Sequence, residues 1–332
     1  MLLYFAAALA AAAQPPADEQ SALERGRSLT RLLVAADSAA LEPHLSRPFL
    51  EAIGGREGIG RLAARVAEQA GAEQQVLREA AFLEGGYVSY YRVSRFERLP
   101  DVTARWVIGP DGLVAGMGIT PTPTPAATTR EQYRTQARLR LPFRRPREDG
   151  AWYVAWGGRN PVDNYHVIAT DQRFAYDFVV MRGTAVSAGS GERNEDNFCW
   201  GEPVVAPAAG RVVRAVGDIA DNERPGTVRP GVSAPGNHVV IDHGNGEHSL
   251  IGHFRHGSLA VREGQQVEAG TLLGLCGNSG NSSLPHVHYH LQTGAAYGQG
   301  DGLPAIFNGY TSNGSPVVSG EPVRGQRILP GD

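Results

Sequence analysis

Pro285-His286-Val287-His288-Tyr289-His290-Leu291 is the stretch on which the reading of this chain turns. In an extended strand, residues i and i+2 point to the same face. His286, His288 and His290 then share one side, and Val287, Tyr289 and Leu291 the other. Imidazoles grouped on one face can serve a metal ion and its bound water. The same pattern also fits a polar strand face turned to solvent. Nine of the ten histidines lie between His166 and His290, a clustering that scattered core packing does not produce.

Upstream, Phe174, Tyr176 and Phe178 alternate with Ala175, Asp177 and Val179. Asp177 thus interrupts an apolar strand, where a buried carboxylate needs a partner. That partner is a cation or an arginine, and Arg173 and Arg182 are the nearest arginines. His166 lies before it in Asn164-Tyr165-His166-Val167. Two histidines and one carboxylate, with the fourth position open, make a catalytic zinc site. Gly252-His253-Phe254 follows the strand-like run Asn237 to Gly244 and supplies a further histidine. His238 and His243 read as strand and turn packing, and His44, His248 and His256 as surface residues. His290 reads as a residue at the groove floor, or one bonded outside the ligand set.

Length and composition set the frame. The 332 residues suffice for two domains, and 42% hydrophobic with 20% charged residues is globular composition. A net charge of -3 argues against nucleic acid as a partner. Residues 1–16 read as an export signal. Leu2 to Ala13 is apolar, too short to span a bilayer, and ends in small residues suited to cleavage. A hydrophobic N-terminal helix is the alternative. Signal removal would leave no membrane span, and localisation is expected to be periplasmic or secreted. Two cysteines, Cys199 and Cys276, allow a single intramolecular pairing, and neither sits in a Cys-x-x-Cys motif.

The expected organisation has four parts. Residues 17–119 form an α+β domain: Ile59, Leu62, Ala63, Val66 and Ala70 fall at helical spacing, and strand-like segments cover Tyr87–Phe96, Thr103–Ile108 and Leu113–Ile119. Residues 120–132, with alternating Thr and Pro, form an extended linker. Residues 133–332 form a mostly-β domain of short strands between glycine and proline turns. Within it, Pro203–Val213 and Val261–Gly274 resemble each other, as in a duplicated hybrid motif of the biotinyl or lipoyl type. The N-terminal domain looks like the nuclear-transport-factor-like or cystatin-like folds, without a sharp motif.

For the C-terminal half the resemblance is specific. Gly236–Gly246, the run Gly264–Gly270 with Gly274–Gly280, and Pro285–His288 together resemble the lysostaphin-like, LytM-type zinc endopeptidases over roughly Gly157 to Thr293. The resemblance implies an antiparallel lysostaphin-like fold and hydrolysis of stem-peptide or cross-bridge amides of peptidoglycan. It assigns His288 as a zinc ligand, His286 and His253 as catalytic histidines, and His166 and Asp177 as the remaining ligands. One departure stands out: the family's compact His-x-x-x-Asp is absent, and ten residues separate His166 from Asp177. Gln172-Arg173-Phe174-Ala175-Tyr176-Asp177 fits a branch of the family in which such a segment supplies the aspartate. Asp171, nearer in spacing but in a polar stretch, is the competitor. The resemblance also places Cys199 and Cys276 in one sheet system, which implies a bridge; two buried free thiols are the alternative. The glycine- and proline-rich loops Gly183–Asn197 and Gly217–Pro235 are expected to wall a groove.

Three rival classes remain, one of them a binding protein dominated by its N-terminal domain, in which nothing supports a named ligand. A lipoyl or biotinyl carrier needs a modifiable lysine, and all 31 basic residues here are arginine. A non-catalytic cell-wall scaffold or amidase activator would normally lack ligands or catalytic histidines, and all five positions are filled.

Overall fold

The computed structural model describes residues 19–84 and 86–331. The expected export signal lies outside them. Contacts divide the chain into two units, Met1–Pro123 and Thr124–Asp332.

In the first unit, helices α1 (Glu19–Val34), α2 (Ser38–Leu41), α3 (Arg47–Ile53) and α4 (Gly55–Ala70) precede strands β1 (Glu73–Glu84), β2 (Tyr87–Phe96), β3 (Val102–Ile108) and β4 (Val114–Pro121). The strands form an antiparallel meander in the order β1-β2-β3-β4. Helical stripes build one side of the core: Leu29 and Leu33 of α1, and Ile59 and Ala63 of α4, are buried with Tyr90, Trp106 and Ile108 of the sheet. Trp106 reaches a polar partner as well, donating from Nε1 to Thr30 Oγ1 at 2.9 Å. The reading of the sequence missed β1, whose Glu73-Gln74-Gln75-Val76-Leu77-Arg78 start is polar and largely exposed.

The second unit is almost entirely β. Its strands are β5 (Ala151–Trp156), β6 (Tyr176–Met181), β7 (Pro203–Val205), β8 (Gly210–Val216), β9 (His238–Asp242), β10 (His248–Gly252), β11 (Gln266–Val267), β12 (Leu272–Leu275), β13 (Val287–Gln292), β14 (Gly302–Leu303), β15 (Phe307–Ser312), β16 (Ser315–Gly320) and β17 (Arg327–Pro330). The main sheet runs β11-β8-β9-β10-β13-β6-β5-β17-β15-β16, and every named pairing is antiparallel. The two similar segments pair with each other: β12 with β7, and β11 with β8. Cys199 and Cys276 are joined in a disulfide. It ties the loop before β7 to the end of β12, where Cys276 N also donates to Glu202 O at 2.8 Å.

Residues 122–132 contain neither helix nor strand, but they do not hang free. Ala126 N donates to Val167 O at 2.7 Å. Further on, buried Glu247 at the β9–β10 turn accepts from Tyr133 Oη, Gln136 N and Ala137 N. Among the described residues no helix is long and apolar enough to cross a membrane.

Acid should unfold the first unit through a specific pair of carboxylates. Arg92 spans Glu73 (2.6 Å) and Glu79 (2.8 Å), and Arg27 also pairs with Glu79 (2.8 Å). The Arg92 hydrogen bond holds the Glu73 pKa below the ordinary carboxylate value. Burial raises that of Glu79, but hydrogen bonds from Tyr90, Arg27 and Arg92 more than offset it. A depressed folded pKa contributes stability that is present above the unfolded value and lost as pH falls through the folded one. Thermal melts should therefore be flat from about pH 7 to 5 and fall steeply below about pH 4. Glu73→Gln/Glu79→Gln should be less stable at neutral pH and flatter in acid. Parallel acid profiles for the two proteins would contradict the assignment.

Candidate active site

The site is assembled by strand register. β13 lies between β10 and β6. Its His288 stands directly opposite Asp177 on β6 and Gly252 on β10. Val287, Tyr289 and Leu291 pack into the core, so the period-2 pattern sends His286, His288 and His290 to the other face. That face is not open to solvent: His288 is 4% exposed and His290 0%.

His253 follows Gly252 at the end of β10 and adopts φ 63°, a left-handed conformation rare for a residue with a side chain. Its backbone is held on both sides, by His253 N to Pro235 O (2.9 Å) and Gly277 N to His253 O (3.0 Å). The turn places its ring 4.5 Å from that of His286 and 5.8 Å from that of His288. His166 arrives from a 3-10 turn, Tyr165–Ile168, capped by the side chain of Asn164.

The hydrogen bonds behind three of these rings fix their tautomers. Asn164 Nδ2 donates to Gly158 O and Ala175 O, so its Oδ1 faces His166 Nδ1, 2.9 Å away, as an acceptor. His166 therefore carries its proton on Nδ1 and leaves Nε2 bare, 3.6 Å from Asp177 Oδ2. His286 donates from Nδ1 to Leu284 O (2.8 Å), and its Nε2 lies 3.5 Å from Asp177 Oδ1. His253 donates from Nδ1 to Ser279 O at 2.7 Å. His288 Nδ1 is 2.9 Å from Asp177 Oδ1.

Charge states follow from burial and from Asp177. Burial pushes His166 down to about 3 and His253 well below the ordinary histidine value; both are neutral at pH 7. Burial also acts on His286, but the neighbouring Asp177 charge overcomes it and raises the value. Burial opposes ionisation of Asp177, yet the surrounding histidines hold its carboxyl well below the usual range. Neither of the two nearest arginines in sequence serves it: Arg173 pairs with Glu131 and Arg182 with Glu148, each at 2.6 Å.

His166, Asp177 and His288 form a buried group whose ligand atoms all lie within 4.8 Å of one another, a set able to hold a metal ion. Asp171 is elsewhere, accepting from Gly298 N at 2.9 Å. A pocket of about 170 Å³ opens beside the group, lined by Tyr165, Ile168, Gln172, Pro235, Asn281 and Tyr297 together with His166, His253 and His288. Of the two loops expected to wall a groove, residues 217–235 reach this lining and residues 183–197 do not. Sequence reasoning also missed Tyr165, whose hydroxyl donates to Asp177 Oδ2 at 3.4 Å, and the orienting role of Asn164. An Asn two residues ahead of a histidine is an available capping signal.

Residues 197–299 match the profile described as Peptidase family M23. The C-terminal unit thus carries an M23 peptidase domain. His253, His286 and His288 fall inside the matched span, and His166 and Asp177 before it. The chain is similar to peptidoglycan DD-endopeptidase ShyA of Vibrio cholerae, 44% identical over 57 residues, which are 17% of this chain and 13% of that protein. Among solved structures it is similar to the catalytic domain of lysostaphin from Staphylococcus simulans (20% identity, 43% of this chain and 80% of that one, TM-score 0.26). It is also similar to pseudoalterin, a deep-sea M23 metalloprotease (20% identity, 57% and 100%, TM-score 0.32).

The two aspartates should separate cleanly. Asp177→Asn should weaken binding of added zinc at least tenfold, and Asp171→Asn, which keeps an acceptor for Gly298 N, should leave it unchanged. Isothermal titration reads both; equal affinities for Asp177→Asn and the unaltered protein would remove Asp177 from the site.

Proposed function

We propose that this protein is a zinc-dependent endopeptidase of the periplasm or the secreted fraction that hydrolyses peptide cross-links of bacterial peptidoglycan. The observation that carries this is the convergence of His166, Asp177 and His288 with two further histidines at one buried point. The M23 domain supports the peptidase class. The similarity to a peptidoglycan DD-endopeptidase supports the substrate, although the matched stretch spans only 13% of that relative.

The residues fit zinc. His166 offers a bare Nε2, Asp177 is ionised, and a set of two histidines and one carboxylate leaves a fourth position for substrate or water. His166 Nε2, an Asp177 oxygen and His288 Nδ1 would hold the ion. When bound, zinc supplies Lewis acidity that polarises the scissile carbonyl and makes water nucleophilic near neutral pH.

The protein's own groups do the rest. His286 keeps Nε2 bare because Nδ1–H is committed to Leu284 O, and the Asp177 charge makes it the more basic of the two free histidines. It takes the proton from the attacking water and returns it to the leaving amine. His253, neutral and bare at Nε2, accepts a hydrogen bond from that water. The pocket beside the group receives the peptide, with Tyr165 and Tyr297 as its aromatic walls.

The test uses purified peptidoglycan and two readouts, zinc content and release of soluble peptide. The unaltered chain should hold about one zinc and lose hydrolysis to a chelator. His286→Ala and His253→Ala should keep zinc and lose roughly 10²–10⁴-fold in rate, and His288→Ala should lose both. Full hydrolysis by zinc-free protein would refute the proposal.

A further inference from the structure

Outside the candidate active site the second unit holds another cavity, of about 230 Å³, which shares no lining residue with the pocket beside His166. It opens where Leu139-Arg140-Leu141-Pro142-Phe143-Arg144-Arg145 passes between the β7–β12 sheet and the β15–β17 part of the main sheet. Leu139 bridges Phe307 of β15, and Phe143 bridges Val204 of β7. Leu139, Leu141 and Phe143 are buried, and the Phe143 ring stacks on Trp152 at 3.9 Å. Arg140 and Arg144, which alternate with them, are exposed.

The backbone that carries these arginines is held from both sides. Arg140 N donates to Pro207 O (2.8 Å), Val205 N to Pro142 O (2.9 Å) and Asn308 N to Leu139 O (2.8 Å). The apolar side chains anchor the segment in the core, so the guanidinium groups hang from a rigid support.

Arg140, Arg144 and Arg145 line the cavity together with Val205, Gly270 and Gly309. Among the described residues no carboxylate lines it, and none pairs with Arg140 or Arg144. The side chain of Arg144 reaches the Gly270 carbonyl, at 3.5 Å, the far limit of a hydrogen bond. Arg147, just beyond, shows the ordinary arrangement, with Glu202 at 3.3 Å. Gly270 and Gly309 have φ 85° and 65°, and a Cβ on either would meet nothing within 4 Å. The wall opposite the arginines therefore offers open space and no competing side chain.

Like charges grouped without a counter-charge repel one another, and an anion relieves that cost. The planar guanidinium fork matches carboxylate and phosphate oxygens in pairs. A carboxylate brings one charge and two oxygens, enough for one arginine. A phosphate monoester brings nearly two charges and three oxygens, enough for two or three. The buried Leu141, Phe143 and Val205 give the cavity an apolar floor on which ester carbon can rest.

We propose that this cavity is a binding site for a phosphate monoester, recognised by Arg140 and Arg144, with Arg145 completing the rim. It needs neither zinc nor the peptidase chemistry. A soluble ester and a lipid headgroup both present that group, and the test separates them.

The test uses the full chain, stripped of metal with a chelator and then freed of it, so that phosphate has no metal to ligate. Isothermal titration with glycerol 3-phosphate should show one site per chain and a Kd of about 1 mM or tighter. Inorganic phosphate should compete for it. Arg140→Gln/Arg144→Gln should weaken binding about tenfold or more. Arg211→Gln/Arg262→Gln removes the same charge from exposed arginines outside the cavity and should keep the affinity within about twofold. Phosphatidylcholine vesicles with and without phosphatidic acid identify the source. Recruitment that needs phosphatidic acid and both arginines names a lipid headgroup, and soluble binding without recruitment names a free ester. Equal affinity in the unaltered chain and Arg140→Gln/Arg144→Gln, or equal loss in the two double variants, marks an adventitious ion only and overturns the site. Arginine-dependent binding of none of these probes overturns it too. Melting temperature establishes that the variants are folded. Should Arg140→Gln/Arg144→Gln unfold, ¹H–¹⁵N spectra of the unaltered chain decide. Glycerol 3-phosphate should move the Nε–H signals of Arg140 and Arg144 and leave that of Arg147, held by Glu202, in place. Unmoved Arg140 and Arg144 signals overturn the site.

Discussion

The pairing of β6 with β13 is the constraint on which the rest depends. It sets His288 opposite Asp177. Side chains alternate along a strand, so a slip of one residue would turn the histidine face toward the core and Val287, Tyr289 and Leu291 toward the site. The apolar residues oppose that slip. Val287, Tyr289 and Leu291 are at most 1% exposed, as are Tyr176 and Phe178 on the partner strand. Hydrophobic burial thereby enforces the placement of polar groups that would gain nothing from the interior by themselves.

Those polar groups are costly to bury. Asp177, His166, His253, His286 and His288 are each at most 8% exposed, and a buried ion without compensation destabilises a fold by several kcal/mol. The structure answers with fixed acceptors behind three of the rings: a side-chain amide for His166 and backbone carbonyls for His253 and His286. Each holds one ring nitrogen and leaves the other facing the site. Ring orientation is thus prepared before any ligand arrives, which limits the cost of binding one.

Much of this architecture is legible in the sequence, and the physical reasons for the rest are specific. The strand periodicities are local, so the two faces of Val287–Gln292 and the odd carboxylate in Phe174–Val180 can be read directly. The helical stripe of α4 is equally local. β1 escapes because its first half is polar and exposed, so no alternation marks it. The approach of His166 to Asp177 is long-range and turns on a short 3-10 segment and an asparagine cap, neither of which periodicity reports. His253 depends on a left-handed backbone at a residue that is not glycine, which no propensity predicts. The groove wall was expected from two loops of similar composition; only one reaches the site, and composition cannot distinguish them. The approach of His290 to His288 needs distances, because a histidine two residues from a candidate ligand could equally be packing.

The most direct measurement is an anomalous difference map at the zinc edge from crystals of the zinc-loaded chain. The account predicts a single strong peak about 2.0–2.2 Å from His166 Nε2, an Asp177 oxygen and His288 Nδ1, with His253 and His286 outside the ligand set. A peak held through His288 Nε2, through Asp171, or without His166 would contradict it.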